Sequence, residues 1–175
     1  NVEIKIADET PAEGTQCVQL ELNQADSRFC SATVRQILKM PVAGIRPVLN
    51  LKYNIAPEFW SGTDTAGGLI TVSGWNRNES KSSRFTLFYV IGTNELIIPP
   101  VRWRSFYNSG IIHIAPETGT WIDAALNIRD DFEREFPELN WSRSGADRLV
   151  ITLSAIGNPG GGRERWGASR IRILF

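Results

Sequence analysis

Short segments in which apolar and polar residues alternate recur along most of this chain. The clearest two span Leu49–Ile55 and Leu69–Trp75. Alternation with a period of two is typical of a strand that buries one face. In the second segment Ile70 and Val72 fall on one face, and Trp75 falls on the other with a threonine and a serine. The pattern therefore predicts a strand whose non-core face ends in a large aromatic residue.

The rest of the chain repeats this strand pattern, with a single exception. Eight further segments predict strands: 2–6, 16–22, 28–38, 84–91, 111–114, 121–126, 148–156 and 169–175. One helix is predicted from Asn127 to about Glu135, because Ile128 and Phe132 recur at helical spacing and Pro137 ends the segment. Nine or ten short strands with one short helix indicate an all-β antiparallel β-sandwich, a single domain over residues 1–175.

Composition and charge narrow the functional classes. The chain has 175 residues, of which 42% are hydrophobic, so one domain can bury a sizeable core. Lys plus Arg equals Asp plus Glu, at 19 each, and this balance argues against a general nucleic-acid binder, whose affinity depends on excess positive charge. No run of 18 apolar residues is present, so the sequence predicts no membrane span.

The two cysteines bear on the cellular setting. Cys17 and Cys30 lie on the neighbouring predicted strands 16–22 and 28–38, and in a hairpin they are near-opposite, within disulfide reach. The alternation argues against direct pairing, because Cys17 alternates with polar residues and Cys30 with apolar ones, so a bulge or a different pairing is needed. We predict the disulfide, and with it an extracellular or periplasmic location. The alternative is two buried free thiols in a cytosolic protein.

The order of the segments resembles a known family. The pieces are LNLKYNI, GGLITVSGW, RFTLFYVIG, TGTWIDAALNI, RLVITLSAIGNPGGG and SRIRILF. Together they resemble the galactose-binding-like jelly roll, particularly bacterial carbohydrate-binding modules, over most of the chain. The resemblance implies sugar binding on a concave sheet face or at the loops of one rim, and a structural Ca²⁺ is common in such modules. Asp8, Glu9 and Glu13 are the loose candidates for calcium ligands; the alternative is a solvated surface.

Aromatic residues next to short polar ones are the candidate binding residues. Sugar rings present apolar C–H faces that pack on tryptophan or tyrosine, while their hydroxyls take hydrogen bonds from amides, carboxylates and guanidinium groups. The predicted ligand-binding residues are Trp60, Asp64, Trp75, Asn76, Arg77, Trp103 and Tyr107. Trp166 is a further candidate, in addition to the locations around Trp60, Trp75 and Trp103. Trp121 and Trp141 are predicted to pack in or against the core. For each aromatic residue the alternative is a packing role.

Enzyme chemistry has little support in the sequence. The single histidine, His113, lies between isoleucines on a predicted strand, which is typical of a structural residue. No serine lies in a Gly-x-Ser-x-Gly motif, and no histidine–cysteine cluster has zinc spacing. A glycosidase needs two facing carboxylates. The candidates are Asp64, Glu79, Glu95, Asp123 and Glu164, and nothing in the sequence singles out two of them.

The sequence favours a non-catalytic carbohydrate-binding β-sandwich, acting on a polysaccharide or oligosaccharide without a cofactor. We expect such a module to be one part of a larger secreted or envelope protein. The alternatives are a structural or protein-interaction domain with the same fold, and a small polysaccharide-processing enzyme. An interaction domain predicts a continuous exposed apolar patch, whereas a sugar site predicts aromatic and polar side chains together on an open surface.

Overall fold

The part of the chain that the structure describes forms two packed sheets and one helix. The computed structural model describes residues 2–7, 17–24, 30–39, 44–55, 65–75, 84–92, 108–114, 120–141, 147–158 and 169–174. The strands are β1 (Val2–Ala7), β2 (Cys17–Gln24), β3 (Cys30–Lys39), β4 (Val48–Ile55), β5 (Thr65–Trp75), β6 (Phe85–Gly92), β7 (Asn108–Ile114), β8 (Ile122–Asn127), β9 (Arg148–Asn158) and β10 (Ser169–Leu174). The helix α1 spans Ile128–Glu135. The predicted all-β sandwich with one short helix is confirmed.

Each sheet has five strands. Sheet I has the order β1-β2-β10-β4-β8, and sheet II has the order β3-β9-β5-β6-β7. Neighbouring strands are antiparallel with one exception, since β6 and β7 run parallel. Residues 93–107 separate those two strands, which satisfies the connection of about a dozen residues that parallel neighbours require. The predicted antiparallel sandwich therefore contains one parallel pair.

Alternation places the core between the sheets. Ile70 and Val72 of β5 are fully buried, as the sequence predicts. Their register partners on β6, Tyr89 and Leu87, are also fully buried. Burial of apolar surface of this kind is the main favourable term in folding. The inward rows of β5 and β6 therefore define the buried side of sheet II, and the intervening residues define its outer side.

Helix α1 packs beside the edge where the two sheets meet. It follows β8, the last strand of sheet I, and its Phe132 contacts the ring of Phe85 of sheet II at a centroid distance of 4.8 Å. Trp141 packs on Phe132 at 5.2 Å, and its Nε1 donates a hydrogen bond to the carbonyl of Ile45 at 3.1 Å. The predicted packing role of Trp141 is confirmed, because its side chain is 1% exposed.

Two glycines allow close approach near this edge. A Cβ at Gly74 would collide with the ring of its register partner Phe85, so only glycine fits there. A Cβ at Gly110 of β7 would lie 2.7 Å from the Cβ of Glu135 on α1. Both positions are inward, and both let an aromatic ring or a helix pack directly on the strand backbone.

The predicted hairpin of the cysteine-bearing strands is wrong. β2 pairs with β1 and β10 in sheet I, whereas β3 pairs with β9 in sheet II. Cys17 takes the register position opposite Ala7, and Cys30 takes the position opposite Gly157. The hairpin that suggested a disulfide is thus absent. The disulfide itself stays a prediction, because the structure describes the backbone of both cysteines and not their side chains.

Candidate functional site

The outer side of sheet II contains Trp75, the one predicted binding residue whose backbone is described. Trp75 is the last residue of β5, opposite Arg148 of β9, and it takes the same side of the sheet as Thr71 and Ser73. The outward positions of four neighbouring strands form this surface: Thr33, Arg35, Ile37, Lys39, Leu69, Thr71, Ser73, Trp75, Thr86, Phe88, Val90, Arg148, Val150, Thr152 and Ser154. We call it the hydroxyl face after its six threonines and serines.

Two cross-strand hydrogen bonds orient hydroxyl groups on this face. Thr33 Oγ1 and Ser154 Oγ lie 3.0 Å apart across β3 and β9, and Ser73 Oγ and Thr86 Oγ1 lie 3.0 Å apart across β5 and β6. A hydroxyl group has one donor and two acceptor lone pairs, so one such bond leaves further hydrogen-bonding capacity. These pairs present oriented polar groups at two places on the sheet.

Exposure falls across the face from β3 to β6. Thr33, Arg35, Ile37 and Lys39 of the edge strand β3 are exposed. The outward residues of β9 and β5 are mainly half-buried, whereas Phe88 and Val90 of β6 are buried, with Val90 fully inaccessible. The face is therefore open at β3 and closed at β6. The accessible half consists of β3, β9 and the adjoining side of β5.

An apolar pair lies in the middle of the accessible half. Ile37 is 50% exposed, and its register partner Val150 is half-buried. Arg35 and Thr152 form the neighbouring row on one side, and the row of Lys39 and Arg148 lies on the other. A ligand lying here meets apolar surface between two polar rows.

The charged residues of the hydroxyl face are all basic. Arg35 and Lys39 are exposed and form no ion pair with a described residue. Arg148 is held differently, because its Nε and Nη2 donate to the Asp147 carboxylate at 2.8 and 2.9 Å. These bonds raise the pKa of Arg148 above its usual range.

Most of the predicted binding residues lie outside the described residues. They are Trp60, Asp64, Asn76, Arg77, Trp103 and Tyr107, together with Trp166 and the loose calcium candidates. Trp75 is placed by its backbone alone. The prediction that the aromatic end of β5 lies on the non-core side agrees with the register of the strand, and contact of Trp75 with a ligand stays a prediction.

The described candidates for other chemistry lie elsewhere. Asp123 faces outward from sheet I, where its carboxylate is 3.3 Å from Lys52 Nζ. The other four carboxylates considered for hydrolysis lie outside the described residues. His113 takes an outward position on β7 opposite Val90, and Trp121 is half-buried rather than fully buried.

No group of three metal-binding side chains occurs within the described residues. None of the described helical residues forms a segment long and apolar enough to cross a membrane.

The sequence pattern missed the residues of β3. Thr33, Arg35, Ile37 and Lys39 alternate with Val34, Gln36 and Leu38, so a signal was present. The pairing partner was not predictable from it, because β9 is more than a hundred residues away in the chain. Without that partner, nothing in the sequence places these side chains on the same surface as Trp75.

Comparisons with known proteins give a likeness of architecture. No family model and no curated protein matches the chain. One similar solved structure concerns the promiscuous specificity of carbohydrate-binding modules from the beta-sandwich super family. Its TM-score is 0.49 at 9% identity, over 99% of this chain and 51% of that one, so the chain spans about half of that length.

Two more solved structures are similar at a lower level. A carbohydrate-binding module in complex with beta-1,4-galactotriose has a TM-score of 0.38 at 13% identity, covering 98% of this chain and 81% of that one. A cellulase derived from the Cel12A cellulase of Rhodothermus marinus has a TM-score of 0.38 at 10% identity, covering 94% and 76%. At these scores the likeness says nothing about the ligand of this chain.

Proposed function

We propose that this domain binds a polysaccharide, without catalysis and without a cofactor, through the accessible half of the hydroxyl face. The carrying observation is the arrangement around Ile37 and Val150, where an exposed isoleucine and a half-buried valine lie between two polar rows of the same sheet. Sugar rings match such a surface, because each ring has an apolar C–H face and a rim of hydroxyls. We include Trp75 in the proposed site, because its register position at the end of β5 is on the same side of the sheet.

The hydrogen-bonding groups on the face suit a flat ligand. Thr152 and Thr71 are register partners and half-buried, and Thr33 is exposed beside Ser154. Hydroxyl side chains both donate and accept, so they can exchange hydrogen bonds with sugar hydroxyls that also do both. Trp60, Asp64, Asn76, Arg77, Trp103 and Tyr107 remain proposed contributors to the same site.

A protein-interaction role has less support among the described residues. Such a surface is expected to form a continuous apolar patch. Within the described residues, the large hydrophobic side chains that are exposed are Ile37 at 50% and Val48 at 48%. They lie on β3 and β4, in different sheets, and therefore form no common patch.

The proposed setting is extracellular or periplasmic, with Cys17 and Cys30 bonded. Titration of free thiols under denaturing, non-reducing conditions tests the bond. A bonded protein releases two thiols only after reduction, whereas two reactive thiols before reduction contradict the disulfide. This outcome is independent of sugar binding.

Affinity electrophoresis against a panel of neutral and acidic polysaccharides tests the proposed function. We expect at least one polysaccharide to retard the domain, and Ile37→Ala, Trp75→Ala, Trp60→Ala and Trp103→Ala to reduce the retardation. Val48→Ala is the matched control, because Val48 has nearly the same exposure on the other sheet. A turnover assay on the bound polysaccharide should release no sugar.

The proposed function fails if no polysaccharide retards the wild-type domain. The proposed site fails if Ile37→Ala and Val48→Ala change binding equally, or if every tryptophan variant binds as the wild type does. Thermal melting of each variant separates loss of binding from loss of folding.

A further inference from the structure

The charge on the hydroxyl face points to the chemical class of the ligand. Every outward position on the described strands of sheet II is free of aspartate and glutamate, whereas Arg35, Lys39 and Arg148 are basic. The chain as a whole has no net charge, with 19 residues of each sign. A one-signed face on a neutral protein is thus a local concentration of positive charge.

Two of the three cations are available to a partner. Arg148 is already compensated by the bidentate contact with Asp147. Arg35 and Lys39 are exposed and have no ion-pair partner within the described residues. Guanidinium groups bind carboxylates through paired hydrogen bonds, and ammonium groups bind them as point charges. The accessible half of the face therefore has two positions suited to carboxylates.

The spacing of these cations favours a polymer. Arg35 and Lys39 are four residues apart on one face of β3, which at about 3.3 Å per residue is about 13 Å. Ile37 lies between them and is half exposed. A ligand that contacts all three residues meets two cations with an apolar side chain between them, which suits negative charges at separated points along a partly apolar polymer. Acidic polysaccharides have this form.

We propose that the ligand is a polysaccharide whose sugars carry carboxylates, bound with Arg35 and Lys39 at its charged groups and with Ile37 and Val150 under its rings. This inference rests on the proposed function and names the class of its ligand. Arg148 is the register partner of Lys39 and adds a second basic residue to that row. Nucleic acid is a less suitable occupant, because its affinity depends on neutralising several phosphates and this face has two cations available.

The test is calorimetric titration of the full chain with polygalacturonate and with the same polymer after chemical reduction of its carboxyl groups. We expect tighter binding to polygalacturonate and a fall in affinity as NaCl is raised, because salt screens exposed charge pairs. Arg35→Gln and Lys39→Gln should each weaken binding about two- to fivefold, the range for exposed ion pairs. Lys52→Gln, a loss of equal charge on sheet I, is the control and should bind as the wild type does.

Each other outcome overturns a defined part of the proposal. Equal affinity for the reduced polymer overturns the acidic ligand and leaves polysaccharide binding standing. Binding to dextran sulfate or to a single-stranded oligonucleotide as tight as to polygalacturonate overturns the preference for carboxylates. If both β3 variants bind as the wild type does, or if Lys52→Gln loses as much affinity as they do, the site does not lie on this face. The two cations would then serve to protect an edge strand from pairing with another chain. If neither the acidic polymer nor any neutral polysaccharide binds, the proposed function fails as well.

Discussion

The outer sides of the two sheets differ in how their charges are arranged. On sheet I, outward positions carry both signs: Glu3, Glu21 and Arg172 take register positions in one cross-strand row, and the Asp123 carboxylate lies 3.3 Å from Lys52 Nζ. On sheet II the outward positions of the described strands carry basic residues and hydroxyls without a carboxylate. Mixed signs make a well-solvated surface. A surface with charges of one sign attracts anions. We therefore expect sheet II, and not sheet I, to bind an acidic ligand.

Reversal of charge on β3 is expected to have the largest effect. The double variant Arg35→Glu/Lys39→Glu replaces two attractions with two repulsions, and we expect affinity for polygalacturonate to fall roughly hundredfold, about 3 kcal/mol. Lys52→Glu on sheet I should change it less than about twofold. Calorimetric titration measures both. Similar losses in the two variants would erase the distinction between the sheets.

Substitution of Gly74 should affect stability and the site together. Alanine forces its Cβ into the Phe85 ring, and we expect a cost of about 1–3 kcal/mol together with displacement of the Trp75 end of β5. Gly44, near β4 of sheet I, is the control, because it has open space and a φ of 81°. Gly44→Ala should cost about 1 kcal/mol through strain, with binding unchanged. Urea unfolding and titration report the two quantities, and an effect of Gly44→Ala on binding would contradict this separation.

Alkaline pH should weaken the packing of helix α1 on β6 rather than either outer face. Burial, and then the 2.8 Å hydrogen bond to Asp131, raise the pKa of Tyr89. A folded-state pKa above the unfolded value of about 10 means that the folded protein holds this proton more tightly. Stability is therefore complete below pH 10 and declines above it, by up to about 1.4 kcal/mol per pH unit.

Thermal melts of wild type and Tyr89→Phe between pH 8 and 11 measure this effect. The variant should be less stable at pH 8, because it lacks the bond to Asp131, and its stability should decline less between pH 10 and 11. Identical slopes in the two proteins would show that Tyr89 does not contribute to alkaline unfolding.

The smallest effects distinguish a hydroxyl pair from an ion pair. Ser73→Ala removes the bond to Thr86 on sheet II and should cost about 1 kcal/mol at any ionic strength. Lys52→Gln breaks the pair with Asp123 on sheet I and should cost less than 1 kcal/mol, with the cost vanishing at 1 M salt. Urea unfolding at low and high NaCl measures both. A salt-dependent cost for Ser73→Ala would contradict the assignment of its partner.

The sequence predicted the strands well because alternation is a local property. All ten predicted strands overlap described ones, and the helix begins within one residue of its predicted start. β5 was predicted too short, because Gly67 and Gly68 suggested a turn, whereas both pair with β6 and β9. Pairing partners were not predictable, since the register of distant strands is set by packing of the whole core. The assignment of β3 to sheet II, and with it the position of Arg35, required the structure.

The central claim is that the hydroxyl face of sheet II is the binding surface. Titration of ¹⁵N-labelled protein with polygalacturonate oligomers, followed by amide chemical shifts, tests it directly. We predict shifts concentrated on β3, β9 and the Trp75 end of β5, with β4, β8 and β10 unaffected. Shifts confined to sheet I, or an unchanged spectrum at saturating oligomer, would contradict the account.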